Sequence, residues 1–276
     1  MARSWWIGVT GRNLDLDEVH GLLFEMLCAV DEICRTAGIE YWLDAGTTLG
    51  AIRHEDLLAW DDDVDICMTP GNLAAFIRVS GMLPEGLHLL VRRGGRGPTA
   101  KIVDRRVEVR EHFAEQHGLR GENVPLLALD IMEVVPVSSY ANHIIQSFLG
   151  KALALKPIAA QMSRSPARLG APRRLSWYVL SAAPEGVMRA LHRPEKTVSH
   201  SGGNWWSYSL SGANPRVRWP TRSIWPLSTI VLRGRRFPAP SDLPSYLTAL
   251  YGSNYRIPPP PAEQLSHFTD FRRVSR

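Results

Sequence analysis

Four aspartates fall within five positions in Trp60-Asp61-Asp62-Asp63-Val64-Asp65-Ile66. Carboxylates about 4 Å apart repel by about 1 kcal/mol even in water and by more near protein, so such a run is costly unless something reverses the sign. A divalent cation does. On a strand, alternate residues face the same side, so Asp61, Asp63 and Asp65 can converge while Asp62 points away. Asp63-Val64-Asp65-Ile66 thus offers two carboxylates outward and two apolar side chains inward. Mg²⁺ takes hard oxygen ligands from one or two carboxylates and leaves positions for substrate phosphate. The twelve-residue calcium loop is excluded, because Ile66 and Asn72 stand where its glycine and glutamate belong.

Upstream, Ala45-Gly46-Thr47-Thr48-Leu49-Gly50-Ala51-Ile52-Arg53 places small residues and hydroxyls at an expected helix start. Backbone N–H groups there can approach a phosphate closely, and the helix dipole favours the anion. Arg53, at the far end of the same short element, can offer a guanidinium to a second phosphate oxygen.

These residues need elements to hold them. Apolar residues at three- and four-residue steps predict a helix over Asp15 to Ala37, closed by Gly38. Glu40 to Leu43 reads as a short strand, Gly46 to Arg53 as a tight turn feeding a short helix, and Val64 to Met68 as a second strand. Thr69-Pro70 caps a helix reaching about Ser80. Residues 87–92 and 99–110 read as strands around the turn Gly94-Gly95-Arg96-Gly97-Pro98. Leu126 to Val135 reads as an apolar strand carrying Asp130 and Glu133. Helices are expected over 144–160, 175–191 and Leu243 to Leu250, and 199–220 as aromatic and loop-rich. No internal repeat is present. One elaborated α/β domain over 1–276 is expected, with its core at about 15–137, a variable insertion at 138–224 and a final segment at 225–262.

With 45% hydrophobic and 21% charged residues, the chain belongs with globular proteins. No signal-peptide pattern opens it and no apolar run is long enough to span a membrane, so the expected location is cytoplasmic. Three scattered cysteines exclude a disulfide framework or zinc motif. Charge is divided: residues 1–150 hold 13 Lys and Arg against 22 Asp and Glu (net −9), and 151–276 hold 19 against 5 (net +14). Either the basic half meets something anionic or it covers the acidic half within one fold. The arginines are scattered and no nucleic-acid motif occurs, so nucleic acid is not an expected partner. The apolar stretch 144–160, with Lys151 and Lys156, allows peripheral contact at the inner face of a membrane.

The stretch from Tyr41 through Asp44-Ala45-Gly46-Thr47 to Arg53-His54, followed by Trp60 to Ile66, closely resembles the LicD family. That family includes bacterial phosphocholine transferases and is similar to fukutin and fukutin-related protein. Leu129-Asp130-Ile131 with Val135-Pro136-Val137 resembles the family strand that supplies a third carboxylate. Phe237-Pro238-Ala239-Pro240, Tyr246-Leu247, Tyr251-Gly252 and Ile257-Pro258-Pro259 match its C-terminal pattern. The likeness covers roughly 38–137 and 225–262. Ala45 stands where glycine is common, Asp56 and Ala59 replace a usual Gly and Pro, and Met132-Glu133 replaces Phe-Pro.

The resemblance implies a nucleotidyltransferase-like mixed sheet flanked by helices, with a helical and loop-rich C-terminal elaboration. It implies transfer of a phospho-alcohol, of phosphocholine or ribitol phosphate type, from a CDP-linked donor to a sugar hydroxyl of a glycan or lipid-linked acceptor, with release of CMP. On that footing Asp63, Asp65 and Asp130, with Asp61 in support, bind Mg²⁺ or Mn²⁺, and Asp130 draws the acceptor proton. Gly46, Thr47, Thr48 and Arg53 cradle the donor phosphates. Lys101 contacts the leaving phosphate or is simply solvated. Trp205, Trp206, Tyr208, Trp219 and Trp225 form either a cage for a quaternary ammonium or ordinary core. Transfer of a nucleotide from an NTP to a small molecule, or non-catalytic binding of an anionic surface, are the alternatives.

Overall fold

A computed structural model describes residues 11–91, 98–111, 126–137, 139–164, 178–179, 181–191, 204–209, 216–264, 266 and 268–274. The glycine-rich turn at 94–97 and parts of the stretches 175–191 and 199–220 lie outside them. The chain divides into two compact units, one built from 1–91, 100–131 and 222–276 and the other from 92–99 and 132–221.

The first unit opens with strand β1 (Gly11–Leu14) and helix α1 (Leu16–Ala37). Asp15 begins α1 with a reciprocal capping box to Glu18, and Gly38 ends it in the left-handed conformation. Its stripe of Val19, Leu23, Met26, Leu27 and Val30 is almost completely buried, which is what fixes the helix to the sheet. Then come β2 (Trp42–Leu43), α2 (Ala45–His54), β3 (Val64–Met68) and α3 (Pro70–Val79), the last capped by the Thr69 hydroxyl. Strands β4 (Leu87–Val91), β5 (Ala100–Glu111) and β6 (Leu126–Pro136) follow. The unit ends with a short helix, α6 (Thr221–Ile224), the hairpin β9–β10 (Ser228–Leu232 and Arg235–Ala239), α7 (Leu243–Tyr251) and β11 (Phe268–Val274). The hairpin turn holds Arg233 and Gly234 at positive φ, as a tight turn matched to strand twist requires.

The sheet runs β1-β11-β5-β6-β3-β2, with β4 also against β5. The pairs β1–β11, β11–β5, β5–β4, β5–β6 and β2–β3 are antiparallel. The α/β organisation is therefore as expected. The sequence reading missed β1, the β9–β10 hairpin and β11. β1 and β11 are short and charged: Arg12, Asp270, Arg272 and Arg273 interrupt any apolar alternation.

One buried polar network ties α1 to the hairpin. Asp31, fully buried, accepts from the Tyr41 hydroxyl (2.7 Å), Arg35 Nε (2.9 Å) and Arg235 Nη2 (2.7 Å). Three donors on one carboxylate compensate its loss of water.

In the second unit, β6 continues past Met132 and pairs with β7 (Trp205–Tyr208), which pairs with β8 (Trp219–Pro220). Two strands thus occupy a stretch expected to be loop. Helix α4 spans Tyr140–Arg164, longer than expected, and α5 spans Glu185–Leu191. Tyr208 and Trp219 are buried edge-to-face at 5.0 Å, whereas Trp225, in the first unit, packs on Trp42 at 5.4 Å. These aromatics serve packing, the second of the two readings open in the sequence. Among the described residues no helix is long and apolar enough to cross a membrane.

Candidate functional site

Strand β3 lies beside β6, and this adjacency assembles the site. Asp63 and Asp65 alternate with the buried Val64 and Ile66, as the period of a strand requires. Asp130, five residues into β6, is almost completely buried. One carboxylate oxygen from each of Asp63, Asp65 and Asp130 lies within 4.8 Å of the others. Three hard, anionic oxygen donors at that spacing on rigid strands suit a divalent cation of the Mg²⁺ or Mn²⁺ kind. Burial first, then the charges of Asp63, Asp130, Asp44 and Asp61, hold the Asp65 carboxyl well above the usual carboxylate range. Without a cation, the fold concentrates negative charge there at an energetic cost.

Asp61 and Asp62 take different parts. The Asp61 carboxylate lies against Gly46: a Cβ on that glycine would come to 2.2 Å from Oδ2. The sequence suggested that Gly46 admits a phosphate, and here the group it admits is Asp61, at the first turn of α2. His20 Nε2 lies 2.6 Å from the Asp61 carbonyl and steadies the loop from α1. Asp62 is fully buried and accepts from the Phe268 N–H (2.8 Å) and the Ser266 hydroxyl. An oxygen of Asp62 also lies within 4.8 Å of oxygens on Asp61 and Asp63, a second possible trio, but its Oδ2 is already committed to the start of β11.

Lys101 is opposite Asp130 in the β5–β6 register, and its Nζ is 2.9 Å from Asp130 Oδ1. It is neither merely solvated nor unengaged: it offsets part of the charge on the third carboxylate. The Thr47 hydroxyl accepts from the Asp65 N–H at 2.9 Å, so α2 holds the Asp65 backbone in place. Thr48 Oγ1 is buried without a hydrogen-bond partner. Arg53 donates through Nη2 to the carbonyls of Tyr255 and Ile257 (3.2 Å to the latter), binding the C-terminal stretch to α2, while its Nε and Nη1 are buried without partners. Burial draws the Arg53 pKa down, against the opposing influence of Tyr251.

Three groups were not recognised from the sequence. Asp44, fully buried, begins α2 without capping it and accepts from the Tyr246 hydroxyl at 2.7 Å. Tyr246 in turn accepts from Trp42 Nε1 at 3.0 Å, so α7 is bonded directly to the acidic motif. Tyr251, at the end of α7, is 45% exposed as a residue, and burial of its phenol together with the charges of Asp44, Asp65, Asp61 and Asp63 pushes its pKa up. The signal was available in the spacing Tyr246-x₄-Tyr251 after the expected helix start, but nothing in that spacing says what a tyrosine faces.

The departures from the family pattern have local reasons. Ala45 sits at φ 40, a left-handed conformation that suits glycine. Replacing Ala45 with Gly is expected to relieve about 1 kcal/mol of strain and to raise Tm by about 2 °C in a melt. Asp56 caps Leu57 N–H at 2.7 Å and pairs with Arg233, so the loop after α2 is anchored on the hairpin turn. Gly50 permits this loop to pass close by: a Cβ there would meet the Asp56 carbonyl at 2.5 Å.

Residues 38–94 match the LicD/FKTN/FKRP nucleotidyltransferase domain. The chain is 34% identical over 68 residues to the lipopolysaccharide cholinephosphotransferase LicD of Haemophilus influenzae, covering 25% of this chain and 26% of that protein. It is 50% identical over 34 residues to the human ribitol 5-phosphate transferase FKRP, covering 12% and 7%. It is also 39% identical over 44 residues to an uncharacterized protein of Rickettsia prowazekii, 16% of each. The matched stretches thus span between 7% and 26% of these relatives' lengths.

Proposed function

We propose that this chain, whose residues 38–94 match the LicD/FKTN/FKRP nucleotidyltransferase domain, is a transferase moving a phospho-alcohol group from a CDP-activated donor to a sugar hydroxyl of a glycan or glycoconjugate. The group is of the phosphocholine or ribitol phosphate type, after the two transferase relatives. The carrying observation is the convergence of Asp63, Asp65 and Asp130 from adjacent strands to within 4.8 Å. The acceptor oxygen forms a new bond to the phosphorus that bears the alcohol, the bond from that phosphorus to the bridging oxygen breaks, and CMP leaves with that oxygen.

A bound Mg²⁺ or Mn²⁺, held by Asp63, Asp65 and Asp130 with Asp61 beside them, supplies charge neutralisation for the diphosphate. The other work belongs to the chain. Asp130 accepts the proton of the attacking hydroxyl, and Lys101 keeps its carboxylate oriented. Arg53 presents Nε and Nη1, its two nitrogens without protein partners, to the donor phosphates. The Thr48 hydroxyl takes a remaining oxygen, while Thr47 fixes the Asp65 backbone. The rigid strands and buried α2 keep these groups aligned for in-line attack. A cytoplasmic location, peripheral to the inner face of the membrane, belongs to the same proposal.

The test is product analysis. Purified protein is incubated with CDP-choline, CDP-ribitol or CTP, with Mn²⁺ or Mg²⁺ and a glycan acceptor. The expected product is CMP from a CDP-alcohol, with Tm raised by the same donor and cation together. Pyrophosphate released from CTP would replace this reading with nucleotide transfer.

A further inference from the structure

Helix α4 carries its polarity the wrong way round for a helix packed on a protein core. Among its described side chains, those it buries are polar: His143 and Ser147 are fully buried and Gln146 nearly so. The residues it exposes are apolar: Ala141, Ile145 and Phe148 fall at i, i+4 and i+7 on one face, with Ile145 56% and Phe148 54% exposed. Ala152 and Leu155 continue the same spacing and are partly exposed. A water-facing helix surface ordinarily has the opposite pattern.

Neighbouring elements extend this apolar surface. Gln146 Nε2 donates to the Leu191 carbonyl at 3.1 Å, which fastens the end of α5 beside α4. Val187 and Leu191, one turn apart on α5, are 55% and 57% exposed. At the first turn of α4 the Arg218 guanidinium stands 4.6 Å from the Tyr140 ring and 4.8 Å from the Trp205 ring, and Trp205 is 43% exposed. Stacked arginine and half-exposed tryptophan suit a boundary between apolar and charged surroundings.

Charge identifies the occupant. The unit comprising 92–99 and 132–221 has fourteen Lys and Arg against three Asp and Glu, a net of +11. A second copy docked on this face would bring two such units together, against strong like-charge repulsion. An anionic bilayer instead offers apolar depth for the stripe and negative headgroups for the surrounding cations. We propose that the exposed face of α4, extended by α5, is a docking surface for an anionic lipid bilayer. It lies in the interfacial plane without spanning, and it does so whatever group the aspartate site transfers.

Flotation of the full chain with vesicles tests this. With phosphatidylcholine containing about one third phosphatidylglycerol, the chain is expected to float, and to be released as salt rises above physiological ionic strength. The pair Ile145→Glu and Phe148→Glu is expected to lower the bound fraction about tenfold. Both side chains are exposed, so circular dichroism and Tm should match the parent. Equal flotation with pure phosphatidylcholine, no flotation with the anionic vesicles, or flotation unchanged by the pair would each overturn the proposal. So would a dimer in light scattering that the same pair dissolves, since a second copy would then be the occupant.

Discussion

Replacing Asp65 with Asn is expected to cost on the order of a thousandfold in cation-dependent turnover while raising the Tm of the protein in EDTA. Asp65 sits under burial and the charges of Asp63, Asp130, Asp44 and Asp61, which together raise its folded pKa well above 3.8. Between those two values the folded chain binds more protons than the unfolded one, so stability falls as pH rises through that window. The penalty is absent below the unfolded value and complete above the folded one. Asn carries no such penalty, so its Tm advantage should vanish in acid and grow toward neutrality. Mn²⁺ should reverse the order, stabilising the parent increasingly as pH rises and leaving the Asn variant unmoved. Melts across pH, in EDTA and in Mn²⁺, together with CMP release, check this. A lower Tm in EDTA, or an equal Mn²⁺ shift in both proteins, would remove Asp65 from the cation site.

The opposite result is expected one position along the loop. Asp62→Ala removes a fully buried acceptor from the Phe268 N–H and the Ser266 hydroxyl. Leaving charge-assisted donors unsatisfied costs about 3 kcal/mol, or about 6 °C in Tm for a chain of this size. The Mn²⁺ shift of the folded fraction should be retained, because Asp63, Asp65 and Asp130 are untouched. If Asp62→Ala kept its Tm and lost the Mn²⁺ shift, the trio of Asp61, Asp62 and Asp63 would be the cation site.

Sequence periodicity found α1, β3 and α3 because caps and apolar stripes are local, but Asp62 and Asp63 precede β3, so the strand period does not decide which way Asp62 faces. It could not see that Asp61 would occupy the space above Gly46, or that Thr47 would hold the Asp65 backbone, since both depend on how α2 meets the loop before β3. Tyr246 is a similar case: its bond to Asp44 joins positions 202 residues apart, and only the tertiary fold brings them together. β11 was missed because its pairing, not its composition, makes it a strand. In α4 the periodicity was legible but its direction was not, because amphipathicity does not say which face meets protein.

The placement of β11 between β1 and β5 also sets an order of events during synthesis. β1, at one end of the main strand order, has no partner among the described strands until Phe268–Val274 has emerged, and Asp62 has no backbone donor at Phe268. A ribosome-bound chain can form α1 and the β2–β3 pair early, yet the loop that carries the acids must wait for β11 to complete its bonds. The acidic loop therefore gains its Phe268 and Ser266 partners only once β11 has been made, and a nascent fragment lacking it would hold the acidic run without those bonds.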